Sequence, residues 1–319
     1  MRRSAPAIAL FFLSPLVAEY LLGDFTITML PLLILLAPLY GGGAIVIREV
    51  ARRTGRGWPS IVLLALAFGV FEEGLTTQSL FNPDYAGAHL LDQGFVPALG
   101  IAVPWTVYVL ALHTVWSVTA PIALVEEVAE RRTTPWLRTR GLVIACVLFG
   151  LGAVGTTAAS YAADPFLAPW PRLAAVVVVV LALIYAAFRV PRRLPGRPGT
   201  APSPWVVLAA TVVAGALFMA LPHVAVRLVV LAVVAGAIVV WSGRTGWDGR
   251  HRLAAAAGGL LTYAGHSFTT EPLLGGGPVI TPVSHVVLAL AAVALLLAEA
   301  RVHPAVAGAR RDGVRAERS

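Results

Sequence analysis

Lysine is missing altogether, and charge of either sign is scarce. All 24 basic residues are arginine, and charged side chains make up 13% of the 319 residues against 58% for apolar ones. Soluble domains carry about a quarter charged residues, so a chain with a mean hydropathy of +0.81 has more apolar surface than a water-soluble core can hide. The single cysteine, Cys146, lies in an apolar stretch, which excludes an internal disulfide and a cysteine-ligated metal. A phosphate-binding glycine loop with lysine, a GxSxG nucleophile elbow and an HExxH zinc helix are all absent. Gly41-Gly42-Gly43 lacks the strand and lysine of a phosphate loop and reads as a bend or a close helix contact. An all-arginine complement amid abundant Ala, Val and Gly reads as the coding bias of a GC-rich bacterium.

What is present is a succession of apolar runs of about 20 residues, each long enough to cross a hydrocarbon core of about 30 Å. The runs and their Pro and Gly breakers predict ten membrane spans near 6–22, 27–46, 59–80, 98–126, 141–162, 172–188, 204–221, 227–242, 253–268 and 283–300. The fold class is therefore all-α, a polytopic transmembrane helix bundle. The first run reads as an uncleaved span, since its cleavage signal is poor and Glu19 follows closely. With the N-terminus in the cytoplasm, 22 of the 24 arginines fall in cytoplasmic loops or tails and only Arg172 and Arg227 fall outside. This is the bias expected of a bacterial cytoplasmic membrane protein with both termini inside. It also argues against nucleic acid as the reason for a pI near 10.5. The domain reading is a front bundle of six spans over residues 1–190, a flexible cytoplasmic linker over 191–204, a back bundle of four spans over 205–300, and a disordered cytoplasmic tail over 301–319.

Ionisable groups inside a bilayer are costly and ask for a partner or a purpose. Glu72 and Glu73 are adjacent and more than halfway across the third span, followed by Thr76, Thr77, Gln78, Ser79 and Asn82. Two such carboxylates are costly to ionise together, an arrangement that suits general acid–base work or proton carriage. It equally suits a structural network. His113 in the fourth span is placed to meet them. His266, near the end of the ninth span, and His285, near the start of the tenth, are further candidates, with Glu271 and the GGGP loop between them. Glu19 can join this cluster or the interface. Arg48 with Glu49 reads as a structural charge pair at the cytoplasmic edge. Glu126, Glu127 and Glu130 beside Arg131 and Arg132 read as a solvated salt-bridge network. The loop from Phe81 to Pro97, carrying Asp84, His89 and Asp92, reads as an outer loop or lid.

Adjacent glutamates in one span and single histidines in later ones resemble the CAAX-protease and bacteriocin-processing family of intramembrane proteases. The resemblance implies that Glu72 and Glu73 activate a water, while His113 and His266 or His285 stabilise the oxyanion. The chain departs from that family's motifs: Thr77 stands where its EExxxR pattern has Arg. Val109, Thr262 and Thr281 precede the histidines where FxxxH has Phe. Ser117, Thr270 and Ala289 follow them where the last motif has Asn. A second likeness, to an uncharacterised bacterial membrane-protein family with the pattern YGxGxxxxRE followed by EEG, covers Tyr40, Gly41, Gly43, Arg48, Glu49, Glu72, Glu73 and Gly74. The leading expectation is an intramembrane hydrolase of protease type using Glu72, Glu73, His113, His266 and His285. The alternatives are a proton-coupled transporter, in which the acids carry protons and His113 relays them, and a non-catalytic membrane subunit. The partners expected are the lipid bilayer and an unidentified membrane-embedded substrate or protein. Cofactor and metal stay undetermined, since Glu and His from different spans can coordinate Zn²⁺.

Overall fold

The computed structural model describes the backbone of residues 4–192 and 195–316, and side chains as far as Arg301. Arg2, Arg3, Arg193 and Arg318 of the charge-bias reading, and the ends of the expected linker and tail at 193–194 and 317–319, lie outside the described residues.

Each apolar run is a helix. We number them α1 (Ala5–Leu21), α2 (Ile27–Arg53), α3 (Trp58–Thr76), α4 (Val103–Val128), α5 (Thr139–Ala163), α6 (Trp170–Arg189), α7 (Pro204–Ala220), α8 (Val224–Ser242), α9 (Gly249–His266) and α10 (Ile280–Ala316). Seven of them, α2 to α6, α8 and α10, are long and apolar enough to cross a membrane. The helices α1 and α7 are apolar but shorter. The remaining one, α9, begins with Arg250, His251 and Arg252 and carries Gly258 and Gly259 at its centre. Its surroundings explain the weaker apolar signature, because α9 packs against α4, α7 and α10 and so is covered by protein as the peripheral helices are not.

Burial separates two classes of helix. In α4, 72% of the apolar window is buried, against none of that in α8 and little of α5, α6 and α10. The outer helices expose Ile144, Leu151, Val178, Leu181, Val233 and Leu290, as helices that face a bilayer do. Trp170 and Trp205, both at helix starts, are among the most exposed aromatics, as interfacial rings are. The inner helices are held closely by glycine. A side chain at Gly41 would collide with the Phe11 carbonyl of α1, and one at Gly258 with Thr211 of α7, so these glycines set helix spacing.

Residues on both sides of the 191–204 segment share one core. Trp116 of α4 stacks on Tyr263 of α9 at 5.0 Å and donates its indole N–H to the Gly259 carbonyl at 2.9 Å. The segment itself is tied down: Arg197 N–H donates to Gly243 O and Ala201 N–H to Thr245 O, both at 2.8 Å. His251 Nε2 also donates to Pro202 O at 2.9 Å. The expected disordered tail is helical in its backbone as far as Ala316, continuing α10. Extending an existing helix needs no new nucleus.

Candidate functional site

Four of the inner helices change winding at one place. The π-helical segments are Leu16–Leu21 in α1, Ala37–Gly41 in α2, Glu72–Thr76 in α3 and Leu112–Thr119 in α4. These carry, in order, Glu19, Tyr40, the Glu72–Glu73 pair and His113. A π turn widens the helix by one residue and is frequent at functional sites. In α3 the turn is marked by the Thr77 N–H donating to the Glu72 carbonyl at 2.9 Å, an i+5 bond. Just beyond it the chain reverses through Gln78, whose φ of 58° is left-handed. Gln78 is locked there because its Oε1 accepts the Ala168 N–H at 2.8 Å.

The geometry brings both glutamates to one imidazole. His113 Nε2 lies 2.6 Å from Glu73 Oε1 and 3.3 Å from Glu72 Oε2, and all three residues are buried. The ligand atoms of the two carboxyl groups and the imidazole all lie within 4.8 Å of one another. Glu73 Oε2 accepts from Ser79 Oγ, and from Thr77 Oγ1 at 3.3 Å. Ser79 in turn accepts the Trp105 indole N–H at 3.2 Å. Tyr40 stacks on the His113 ring at 5.8 Å and donates its hydroxyl to Glu19. Gly69 leaves room for the imidazole, since a methyl there would stand 3.0 Å from His113 Cβ. Two buried polar atoms of this centre, Glu72 Oε2 and His113 Nδ1, carry no hydrogen bond.

The other two candidate histidines are elsewhere. His266 is half-buried at the end of α9, where Nδ1 meets the Thr269 hydroxyl at 3.2 Å. His285 is buried on α10 against the edge of Phe268, at 5.7 Å. Among the described residues, only His113 groups its ligand atom with those of Glu72 and Glu73. The order of spans along the chain did not reveal that His266 meets Thr269 and that His285 lies against Phe268 rather than at α3. Glu19 does join the centre through Tyr40. Tyr40, Thr77, Ser79 and Trp105 are participants that sequence reasoning did not assign, although the first belongs to the YGxG motif. In the turn after α1, burial and the nearby Glu19 push the Asp24 carboxyl up to about 8.

A second buried polar group corrects an expectation. Arg48 and Glu49 form the charge pair expected of them, whereas Glu126 and Glu127, expected in a solvated network, are buried beside it. Arg48 donates to Glu126 at 2.9 Å, to Glu49 at 2.7 Å and to the Arg132 carbonyl at 2.7 Å, and its guanidinium lies 3.5 Å from the Trp136 ring centroid. Arg52 clamps Glu126 at 2.6 Å, and Glu127 is held by Arg132 at 3.1 Å and by Arg252 of α9 at 2.6 Å. Trp136 folds over this group, which two charged helix ends alone do not foretell. Every acid named here has an arginine, whereas Glu72 and Glu73 have only His113 as a nitrogen partner among the described residues.

A cavity of about 510 Å³ opens beside the acid pair, between α3 and α5. Phe71, Leu75, Thr77, Asn82, Tyr161 and Asp164 are among its lining residues. Thr77 thus borders the cavity and hydrogen-bonds Glu73 with the same side chain. The His89–Asp84 pair in the loop from Phe81 to Pro97, 3.9 Å apart, is exposed and separate from this centre.

No curated protein and no solved structure matches the chain. A family model does, over residues 8–300, and the chain belongs to that uncharacterized membrane protein family.

Proposed function

We propose that the protein is an ion-coupled membrane transporter whose cation-binding centre is Glu72, Glu73 and His113. In this reading all ten helices cross a bacterial cytoplasmic membrane, with both termini on the arginine-rich side. One observation carries the proposal: three carboxylates, Glu19, Glu72 and Glu73, are gathered inside the spans with one imidazole and, among the described residues, no arginine salt bridge. An uncompensated buried charge costs several kcal/mol, so the centre requires cations to be neutral. Binding a cation there and releasing it is the chemistry such a centre offers.

Two features support a centre open to cations. The four π segments meet there, and each contributes a polar side chain to it. The cavity at Thr77 offers a way in from one side, while the buried Arg48–Glu126–Arg52 network closes the arginine-rich side. Hydrolysis by the mechanism of the protease resemblance needs a second imidazole at the acids, and neither His266 nor His285 supplies it.

The test is reconstitution into liposomes loaded with dyes for H⁺, Na⁺ and divalent metals, under an imposed gradient of each. Wild-type vesicles are expected to move at least one cation faster than empty vesicles, and Glu73→Gln vesicles none. Failure of every cation to move above the empty-vesicle rate would overturn the proposal.

A further inference from the structure

Three donor atoms from two helices already surround one point. The ligand atoms of Glu72, Glu73 and His113 all lie within 4.8 Å of one another. In a tetrahedral shell with bonds of about 2.0–2.2 Å, neighbouring donors stand about 3.3 Å apart. The 3.3 Å between His113 Nε2 and Glu72 Oε2 meets that spacing as it is. The 2.6 Å between His113 Nε2 and Glu73 Oε1 is a hydrogen-bond distance and has to open by about 0.7 Å to become one between ligands.

We propose that Glu72, Glu73 and His113 bind a divalent first-row transition-metal cation. Its role as the transported ion rests on the transport reading above; its binding does not.

Four observations converge on this ligand. First, Glu72 Oε2 points into the cluster, carries no hydrogen bond and belongs to a residue only 2% exposed. A buried acceptor without a partner costs about 1–3 kcal/mol, and a cation is a partner that satisfies it. Second, the charges match. Two carboxylates and a neutral imidazole sum to −2, which a divalent ion cancels and a sodium ion does not. Third, the donor set is mixed. Imidazole nitrogen with carboxylate suits Zn²⁺, Co²⁺ or Fe²⁺, whereas Mg²⁺ and Ca²⁺ take oxygen alone. Fourth, Glu73 is oriented from behind. Ser79 and Thr77 occupy its Oε2, Trp105 fixes Ser79, and Oε1 is left to face the point shared with His113. Outer hydrogen bonds of this kind aim metal-binding carboxylates. Glu19 stands outside the ligand set, held by Tyr40. The buried acids at the arginine-rich end provide the contrast, because Glu49, Glu126 and Glu127 are already neutralised by arginine.

The test uses the full chain in detergent, washed with chelator and equilibrated separately with Zn²⁺, Co²⁺ and Mg²⁺. The expected result is one retained Zn²⁺ or Co²⁺ per chain by elemental analysis, with Co²⁺ giving a visible absorption band, and no retained Mg²⁺. Glu72→Gln, Glu73→Gln and His113→Ala should each weaken Zn²⁺ binding at least tenfold, while His89→Ala on the exposed loop leaves it unchanged. Should the ligand variants fail to fold, Ser79→Ala, which only loosens the aim of Glu73, is expected to weaken binding by about 10–100-fold. Equal Zn²⁺ retention by wild type and folded Glu72→Gln or Glu73→Gln, or loss that follows His89, would overturn the proposal. Metal bound without any cation flux removes the transport reading and keeps this one; proton flux without bound metal does the reverse.

Discussion

Replacing Arg48 with methionine tests the buried ion network that closes the arginine-rich end. The perturbation removes four donated hydrogen bonds, to Glu126, Glu49 and the carbonyls of Arg131 and Arg132, together with the stacking on Trp136. Breaking a fully buried ion pair by deleting one partner costs about 3–5 kcal/mol. Here the acids are not wholly abandoned. Glu126 keeps two contacts from Arg52, at 2.8 and 2.6 Å, and Glu49 keeps the N–H groups of Trp136 and Leu137 at 2.8 and 3.3 Å. The lower end of the range therefore applies, about 3 kcal/mol or roughly 150-fold in the folding equilibrium. The assay is reversible unfolding by SDS in mixed micelles, followed by far-UV circular dichroism. Exposed Arg138 is the control, and Arg138→Met should stay within about 0.5 kcal/mol of wild type. Combining Arg48→Met with Glu126→Gln should cost less than the two changes summed, because the paired charges leave together. An Arg48→Met variant as stable as the Arg138→Met control would refute the reasoning.

Two further predictions use the same unfolding assay. Gly41→Ala forces a methyl into the backbone of α1 at Phe11 and should cost about 1–3 kcal/mol. Gly236→Ala, with nothing within 4 Å, should be neutral or stabilising by up to about 1 kcal/mol; the reverse order would break the packing account. For Asp24, burial comes first and the charge of Glu19 second in raising its carboxyl from 3.8 to about 8. The folded state then holds a proton that the unfolded state has released, so stability falls as pH rises from about 4 to about 8. Asp24→Asn should flatten that decline and be the more stable protein above pH 8; an unchanged pH profile would contradict the assigned cause.

The helices were legible because apolar runs of membrane length have few alternatives, and each predicted span is a helix. Glu72, Glu73 and His113 were legible for the opposite reason, as costly groups in apolar surroundings. His266 and His285 satisfied the same criterion and still lie apart from the centre. Residue type and depth do not specify which neighbour a helix faces; packing does, and α9 turns Tyr263 and Gly259 rather than His266 toward α4. The π segments leave no pattern in the sequence, since an i+5 bond asks for no particular residue. The group around Glu126 and Glu127 was read as solvated because its residues sit at a helix end. Its burial depends on Trp136, a residue of the connecting loop that folds back over the Arg48 guanidinium.

The central claim is that Glu73 and His113 act as one centre in moving a cation. It is tested most directly by flux through liposomes carrying wild type, Glu73→Gln, His113→Gln and the double variant, each shown to be folded by its unfolding curve. The account predicts that both single variants and the double fall to the same rate, that of empty vesicles. Wild-type flux in any folded variant, or losses that add independently in the double, would contradict it.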